Sequence, residues 1–186
     1  MVLQRLLDDS RSLRSRVLDP AAKVLLRIGL TANQLTFLSF IFGLLTVYFL
    51  FKIHYLFIIF AVLHLLADAF DGVLARLTQP TNFGTYFDYL TDQSITLLLF
   101  IKVYLYLHDY YILLILAMFV LTQSIYLLSK FQSPIFFLRT FGLILISLFP
   151  LFPPTYLTLV YLLGGTVTLY SLILQLNYFI RITKIS

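Results

Sequence analysis

Long uncharged stretches separated by short polar breaks dominate the hydrophobic pattern of this 186-residue chain. No charged residue occurs between positions 28 and 51, and about twenty consecutive apolar residues are enough to cross a bilayer as a helix. The pattern predicts six transmembrane helices, near residues 34–52, 54–77, 84–107, 110–129, 134–150 and 155–180. Pro150, Pro153 and Pro154 separate the last two helices. We therefore predict an all-α polytopic membrane protein.

Basic and apolar residues are mixed in the segment that precedes these helices. Residues 1–30 carry six Lys or Arg among leucines and valines, a pattern typical of a basic amphipathic helix that lies in the membrane interface. Asp19 followed by Pro20 is a good helix start and Gly29 is a good stop, so a short helix is expected from about 20 to 28. The segment lacks the continuous apolar core of a signal peptide. We predict two parts, a juxtamembrane segment 1–30 and a six-helix transmembrane domain 31–186.

Four aspartates interrupt the apolar pattern of the second and third predicted helices. All eight acidic residues of the chain are aspartates, and four of them fall between positions 68 and 92. The residues that share one helical face are Asp68, Asp71, Gly72 and Ala75 on the second helix, and Gly84, Asp88 and Asp92 on the third. A short loop makes the two helices antiparallel neighbours. The spacing therefore predicts that the two faces meet, with four carboxylates between them.

These carboxylates predict a divalent metal site. Each aspartate costs about 2.5–3.5 kcal/mol at the centre of a membrane helix, and Arg76 is the one base among them. Hard oxygen ligands, with no cysteine in the chain, favour Mg²⁺ or Mn²⁺ over zinc. His64, one turn before the cluster, is expected to be a hydrogen-bonded core histidine and not a ligand. The small residues leave room for a ligand on the same faces, and the Arg76 guanidinium suits a phosphate.

The distribution of charge predicts the orientation of the chain. Six spans place both termini on one side of the membrane, and all thirteen Lys and Arg residues except Lys52 and Lys102 then lie on that side. The positive-inside rule assigns it to the cytoplasm, together with the aspartate cluster. We expect the plasma membrane. The net charge of +5 is explained by this topology and not by nucleic-acid binding, because the bases form no stripe with stacking aromatic residues.

The order of these residues resembles the signature of the CDP-alcohol phosphotransferase family. The matching residues are Asp68-x-x-Asp71-Gly72-x-x-Ala75-Arg76, then Gly84-x-x-x-Asp88-x-x-x-Asp92. These eight positions at near-fixed spacing carry the resemblance. The segment from Thr31 to Thr36 is similar to a weaker family feature, and the six-helix plan also matches.

The resemblance implies a homodimeric, divalent-metal-dependent enzyme of phospholipid synthesis whose catalytic domain is 31–186. Such an enzyme transfers a phosphatidyl-type group from a CDP-linked lipid or alcohol to an acceptor hydroxyl and releases CMP. The implied metal ligands are Asp68, Asp71, Asp88 and Asp92. By the same resemblance Asp92 is also the candidate catalytic base. The implied CDP-binding residues are Asp68, Gly72, Ala75, Arg76 and Gly84.

Two further bases are candidates for binding the acceptor. Lys130 is at the cytoplasmic end of the fourth predicted helix, and Arg139 lies inside an otherwise uncharged stretch of about fifty residues. Arg139 has no obvious carboxylate partner in the sequence, so an anionic acceptor such as a phosphorylated alcohol would be a natural counter-ion. Alternatively, both bases extend to lipid headgroups and only set the topology.

Two other functions use intramembrane aspartates. A cation or proton transporter would usually show discontinuous helices in repeated halves, which are not apparent here. An aspartate-rich membrane prenyltransferase also binds a pyrophosphate through metal, but its two acidic motifs lie far apart in sequence and lack the Asp-Gly-x-x-Ala-Arg context.

Overall fold

The computed structural model describes residues 18–136, 138–153 and 155–183, and within them it contains helices and no strand. Residues 18–27 are helical and are called α1. The following helices are α2 Ala32–Phe49, α3 His54–Thr78, α4 Asn82–Leu107, α5 Tyr111–Leu128, α6 Arg139–Ser147 and α7 Thr155–Thr183. A short 3₁₀ turn, Phe149–Leu151, follows α6.

Five of these helices, α2 to α5 and α7, are long and apolar enough to cross a membrane. The prediction of an all-α, multi-pass membrane architecture is confirmed at this level, but the prediction of six spanning helices is not. The expected helix near 134–150 is α-helical only over Arg139–Ser147. Lys130 and Phe131 adopt positive φ angles, and residues 132–136 are not helical. Pro134 contributes to this break, because it has no amide proton to donate.

Helix α1 packs against the start of α2 and the end of α3. Ala22 is fully buried in a small cluster with Leu35 of α2 and with Val73 and Leu74 of α3. Gly29, two residues after the end of α1, has a φ of +85°, the left-handed conformation that favours glycine and terminates helices. Residues 1–17 of the predicted amphipathic segment lie outside the described residues.

Local capping signals set the starts of the two helices that border the site. Thr31 and Gln34 form a capping box at the start of α2, with each side chain accepting a hydrogen bond from the other residue's amide. Thr81 caps α4, because its hydroxyl oxygen accepts a hydrogen bond from the Gly84 amide at 3.0 Å. Three residues, 79–81, join α3 to α4. Within the described residues α2 packs closely against both helices, whereas α3 and α4 contact each other little, so the predicted direct packing of α3 on α4 is wrong.

The main apolar core fills the half of the bundle farther from the aspartates. Phe57, Ile95, Ile112 and Leu143, from four different helices, are almost completely buried there. At the same end, the ring of Phe149 packs edge-on against Phe51 and Tyr106, which follow α2 and end α4 respectively. The end of α6 is therefore level with the far ends of α2 and α4.

Candidate active site

Three of the four predicted aspartates come together between α3 and α4. Asp68, Asp88 and Asp92 each offer a carboxylate oxygen, and these oxygens lie within 4.8 Å of one another. All three residues are partly buried. Asp68 and Asp92 are each ten residues from the nearer end of their helix, or about 15 Å at 1.5 Å per residue. The cluster is therefore well inside the bundle.

Asp71 faces a different neighbour. It is only 4% exposed, and its Oδ2 accepts a hydrogen bond from the Thr36 hydroxyl of α2 at 2.8 Å. Residues three apart on a helix are rotated by about 60° around its axis. Asp68 can therefore point towards α4 while Asp71 points towards α2.

Arg139 pairs with two aspartates of the cluster. Its Nη2 lies 2.8 Å from Asp68 Oδ2, and its Nη1 contacts Asp92 Oδ1. The residue is 8% exposed. The expectation that Arg139 has no protein partner is wrong, because the break before α6 lets this helix begin at the depth of the carboxylates and not at the membrane surface.

Polar side chains support the non-helical backbone that leads to Arg139. The Phe136 amide donates to Ser171 Oγ of α7 at 3.2 Å, and the Ser133 amide donates to Ser129 Oγ at 3.0 Å. Gln175 is fully buried, and its Nε2 donates to the Thr122 carbonyl of α5 at 3.1 Å. Non-helical backbone at membrane depth needs such partners, because lipid offers no hydrogen bonds. These contacts hold the first residue of α6 beside the aspartates.

A polar cavity of about 300 Å³ lies beside the cluster, between the start of α2, the end of α3 and the start of α4. Its size falls at the lower end of the range for small-molecule sites. Five predicted site residues line it, namely Asp71, Gly72, Ala75, Gly84 and Asp88. Asp68 and Arg76 are not among its lining residues.

Gly84 allows α2 and α4 to approach each other at the cavity. A Cβ atom on Gly84 would lie 2.9 Å from Asn33 Oδ1 and 3.0 Å from Thr81 Oγ1, which is closer than packed atoms normally come. The glycine therefore keeps space for the Asn33 amide, which also lines the cavity.

Sequence reasoning did not assign roles to several polar residues of this cavity. Asn33, Thr36 and Thr85 line it with the predicted residues. The signal for the first two was present in the segment from Thr31 to Thr36, since a run of polar residues at the start of an apolar helix is unusual. Thr85 adjoins Gly84 and had no separate signal.

The two candidate acceptor-binding bases have different surroundings. Lys130 is exposed in the turn after α5, with a φ of 53°, and does not line the polar cavity. Arg139 is buried beside the cluster, as described above. The structure therefore brings Arg139, and not Lys130, next to the aspartates.

The donor atoms fit a hard divalent cation. Three carboxylate oxygens from two rigid helices converge, and oxygen ligands of this kind are those that Mg²⁺ and Mn²⁺ prefer. The nearest histidine is engaged elsewhere: His64 is 1% exposed, and its Nδ1 lies 2.9 Å from Ser39 Oγ. His64 is thus the hydrogen-bonded core histidine that was predicted.

Among the comparisons with known proteins, the comparison with protein-family models gave a match. A family model described as CDP-alcohol phosphatidyltransferase matches residues 29–176, which include the polar cavity and the carboxylate cluster. Comparisons with curated proteins and with solved structures gave no match.

Proposed function

Since this chain belongs to the CDP-alcohol phosphatidyltransferase family, we propose that it transfers a phosphatidyl-type group from a CDP-linked lipid or alcohol to an acceptor hydroxyl and releases CMP. Membership makes it a transferase of phosphate-containing groups in phospholipid synthesis. The metal, the acceptor, the roles of single residues and the topology are proposals built on that premise.

The position of Asp88 supports this reaction more than any other observation. Asp88 lines the polar cavity, and it also contributes an oxygen to the carboxylate cluster. A CDP-linked donor in the cavity would therefore direct its phosphates towards the carboxylates. Gly72, Ala75 and Gly84 line the same cavity and would contact the donor directly. Asp68 and Arg76, which do not line the cavity, are proposed as further donor contacts.

We propose Mg²⁺ or Mn²⁺ as cofactor, held by Asp68, Asp88 and Asp92, with Asp71 as a fourth ligand. A divalent cation bound there would neutralise charge on the phosphates of the donor and on its leaving group. The chain's own residues would do the rest. The Thr36 hydroxyl orients the Asp71 carboxylate through its 2.8 Å hydrogen bond.

Asp92 is the proposed general base. It is one turn farther from the cavity than Asp88, so an acceptor that enters beside the donor's phosphates would present its hydroxyl to the Asp92 carboxylate. Arg139 touches the same carboxylate and would meet the phosphate of an anionic acceptor. Lys130, in the exposed turn, is proposed to attract such an acceptor from the membrane surface.

We also propose that the chain crosses the membrane six times. The fifth crossing would consist of the non-helical segment after α5 together with α6, which runs from the depth of the aspartates to the far ends of α2 and α4. Both termini and the polar cavity would then face the cytoplasm, as the charge distribution predicts. A homodimer in the plasma membrane is the proposed assembly.

An assay of CMP release tests the proposal. The purified protein in detergent is incubated with CDP-diacylglycerol, a panel of charged and uncharged alcohols, and Mg²⁺ or Mn²⁺. We expect CMP release that requires both metal and one class of acceptor, and that is lost in Asp71→Asn and Asp88→Asn. Release of pyrophosphate from a prenyl donor would instead indicate a prenyltransferase, and full activity in either variant would contradict the site.

A further inference from the structure

Arg139 contacts carboxylates that the proposed divalent cation would also use. The guanidinium contacts Asp68 and Asp92, which are two of the three residues whose carboxylate oxygens converge. Arg139 is thus the internal cation of a site that is built from acidic residues. Its two contacts bridge the helices, one on α3 and one on α4.

The Arg139 guanidinium and a divalent cation cannot both bind Asp68 and Asp92 at the same time. Mg²⁺ requires its oxygens at about 2.0–2.1 Å in a near-octahedral arrangement, so the carboxylates that bind it must turn towards one point. The guanidinium instead holds its two carboxylates apart on separate nitrogens. In addition, the positive charges of the guanidinium and the divalent cation would repel each other strongly at such short range, because little water screens them.

We propose that Arg139 is a competing internal counter-ion, which neutralises Asp68 and Asp92 until a divalent cation binds and displaces its guanidinium. This inference rests on the proposed metal site. It assigns Arg139 a positioning role, in which the side chain keeps the cation-free cluster folded and is released for an anionic substrate only when the cation is present.

The placement of Arg139 suits this exchange. The residue is the first of a nine-residue helix, and the backbone before it is non-helical. Arg139 also borders an apolar cavity between α4, α6 and α7, which leaves room for its aliphatic stem to change rotamer while the guanidinium turns from the carboxylates to an anionic substrate.

A different role for Arg139 would change the cation affinity in the opposite direction when the residue is removed. If Arg139 stayed in place and oriented the carboxylates around the cation, removing it would weaken cation binding, as the loss of an outer partner does at metal sites. If it competes, removing it strengthens cation binding. The affinity for the cation alone therefore separates the two roles without any measurement of turnover.

The experiment is a Mn²⁺ titration of the full-length protein in detergent, with free Mn²⁺ measured by electron paramagnetic resonance. We expect Arg139→Gln to bind Mn²⁺ at least about tenfold more tightly than wild type, because a competing cation has been removed. Lys102→Gln, which removes the same charge ten residues beyond Asp92 on α4, should change the affinity less than about twofold, because the distance is about 15 Å.

Thermal unfolding gives a second readout. Arg139→Gln should unfold at a lower temperature than wild type without metal and recover most of the difference in saturating Mn²⁺. If Arg139→Gln does not fold, Arg139→Lys is titrated instead. Its single ammonium cannot bridge both carboxylates in the manner of a guanidinium, and we expect tighter Mn²⁺ binding than in wild type.

Unchanged or weaker Mn²⁺ binding in the variant that folds would overturn the proposal, as would an equal loss of thermal stability with and without Mn²⁺. These results would leave the metal site intact. By contrast, if wild type shows no saturable Mn²⁺ binding that Asp88→Asn removes, the proposed metal site itself fails, and the competition fails with it.

Discussion

Replacing Thr36 by valine isolates the hydrogen bond that orients Asp71. The Thr36 hydroxyl is 2.8 Å from Asp71 Oδ2, and both residues are 4% exposed. Valine keeps the branched shape of threonine but removes the hydroxyl. The Asp71 carboxylate would then remain buried with one donor fewer, and we expect weaker use of the CDP-linked donor.

The size of the effect follows from the burial of this bond. A hydrogen bond to a charged group contributes about 1.5–3 kcal/mol, and a factor of ten in rate corresponds to about 1.4 kcal/mol. If the whole loss affects donor and metal binding, kcat/KM for CMP release should fall by about tenfold to one hundredfold in Thr36→Val. The assay is the initial rate of CMP release at limiting donor concentration.

Thr46→Val is the matched control. Thr46 belongs to the same helix and is completely buried, and its hydroxyl donates to the Phe42 carbonyl one turn earlier at 2.8 Å. Thr36 has a comparable contact with the Ala32 carbonyl at 3.1 Å, so the two variants differ mainly in the bond to Asp71. We expect Thr46→Val to stay within about twofold of wild type. Equal falls in both variants, or full activity in Thr36→Val, would refute this role of Thr36.

Three further predictions concern the base, the cavity and the non-helical segment. Asp92→Asn should lower kcat by about one hundredfold or more with little change in the donor KM, as measured by steady-state kinetics. A collapse of donor binding would instead show that Asp92 acts chiefly as a metal ligand. Gly84→Ala should raise the donor KM about tenfold, because the new Cβ would crowd the Asn33 oxygen 2.9 Å away. Gly142→Ala has open space around its Cβ, so it should keep the donor KM and melt a few degrees higher, since alanine favours helix by about 1 kcal/mol. Similar KM values in the two variants would contradict the crowding. Ser171→Ala should lower the melting temperature by several degrees, because the Phe136 amide loses an acceptor worth about 1–3 kcal/mol. Ser124→Ala should not lower it, because the Ser124 hydroxyl bonds its own helix at the surface. Equal melting temperatures of the two variants would contradict the role of Ser171 in supporting the non-helical segment.

The parts of the site that depend on local spacing could be predicted from the sequence. Helical periodicity placed Asp68 towards Asp88 and Asp92, and the short loop kept the three residues at a similar depth. The same periodicity brought Gly72 and Gly84 to one cavity. Each of these relations involves residues close in sequence, so knowledge of the helix geometry is sufficient.

The parts that depend on packing between distant residues could not be predicted. The contact of Asp71 with Thr36 requires the rotation of α3 against α2, which no spacing within one helix reveals. The ion pairs of Arg139 require α6 to begin at the depth of the cluster, and this depends on Ser129, which follows α5, and on Ser171 of α7. Pro134 was the local signal, but hydropathy alone treats the stretch around it as one continuous span.

The short helix α6 also constrains the order in which the protein can be made. Its nine residues extend about 14 Å, less than half of a hydrocarbon core about 30 Å thick, and its first residue is an arginine that costs about 2.5–3.5 kcal/mol at the centre of a membrane helix. We therefore do not expect this segment to leave the translocon as an independent span. We expect it to enter the bilayer with partners, because the carboxylates of α3 and α4 precede it in the chain and the polar side chains of α7 follow it. Synthesis that stops before α7 would leave the Phe136 amide without the Ser171 hydroxyl that accepts its hydrogen bond, so we expect truncated chains to hold Arg139 less firmly beside the carboxylates.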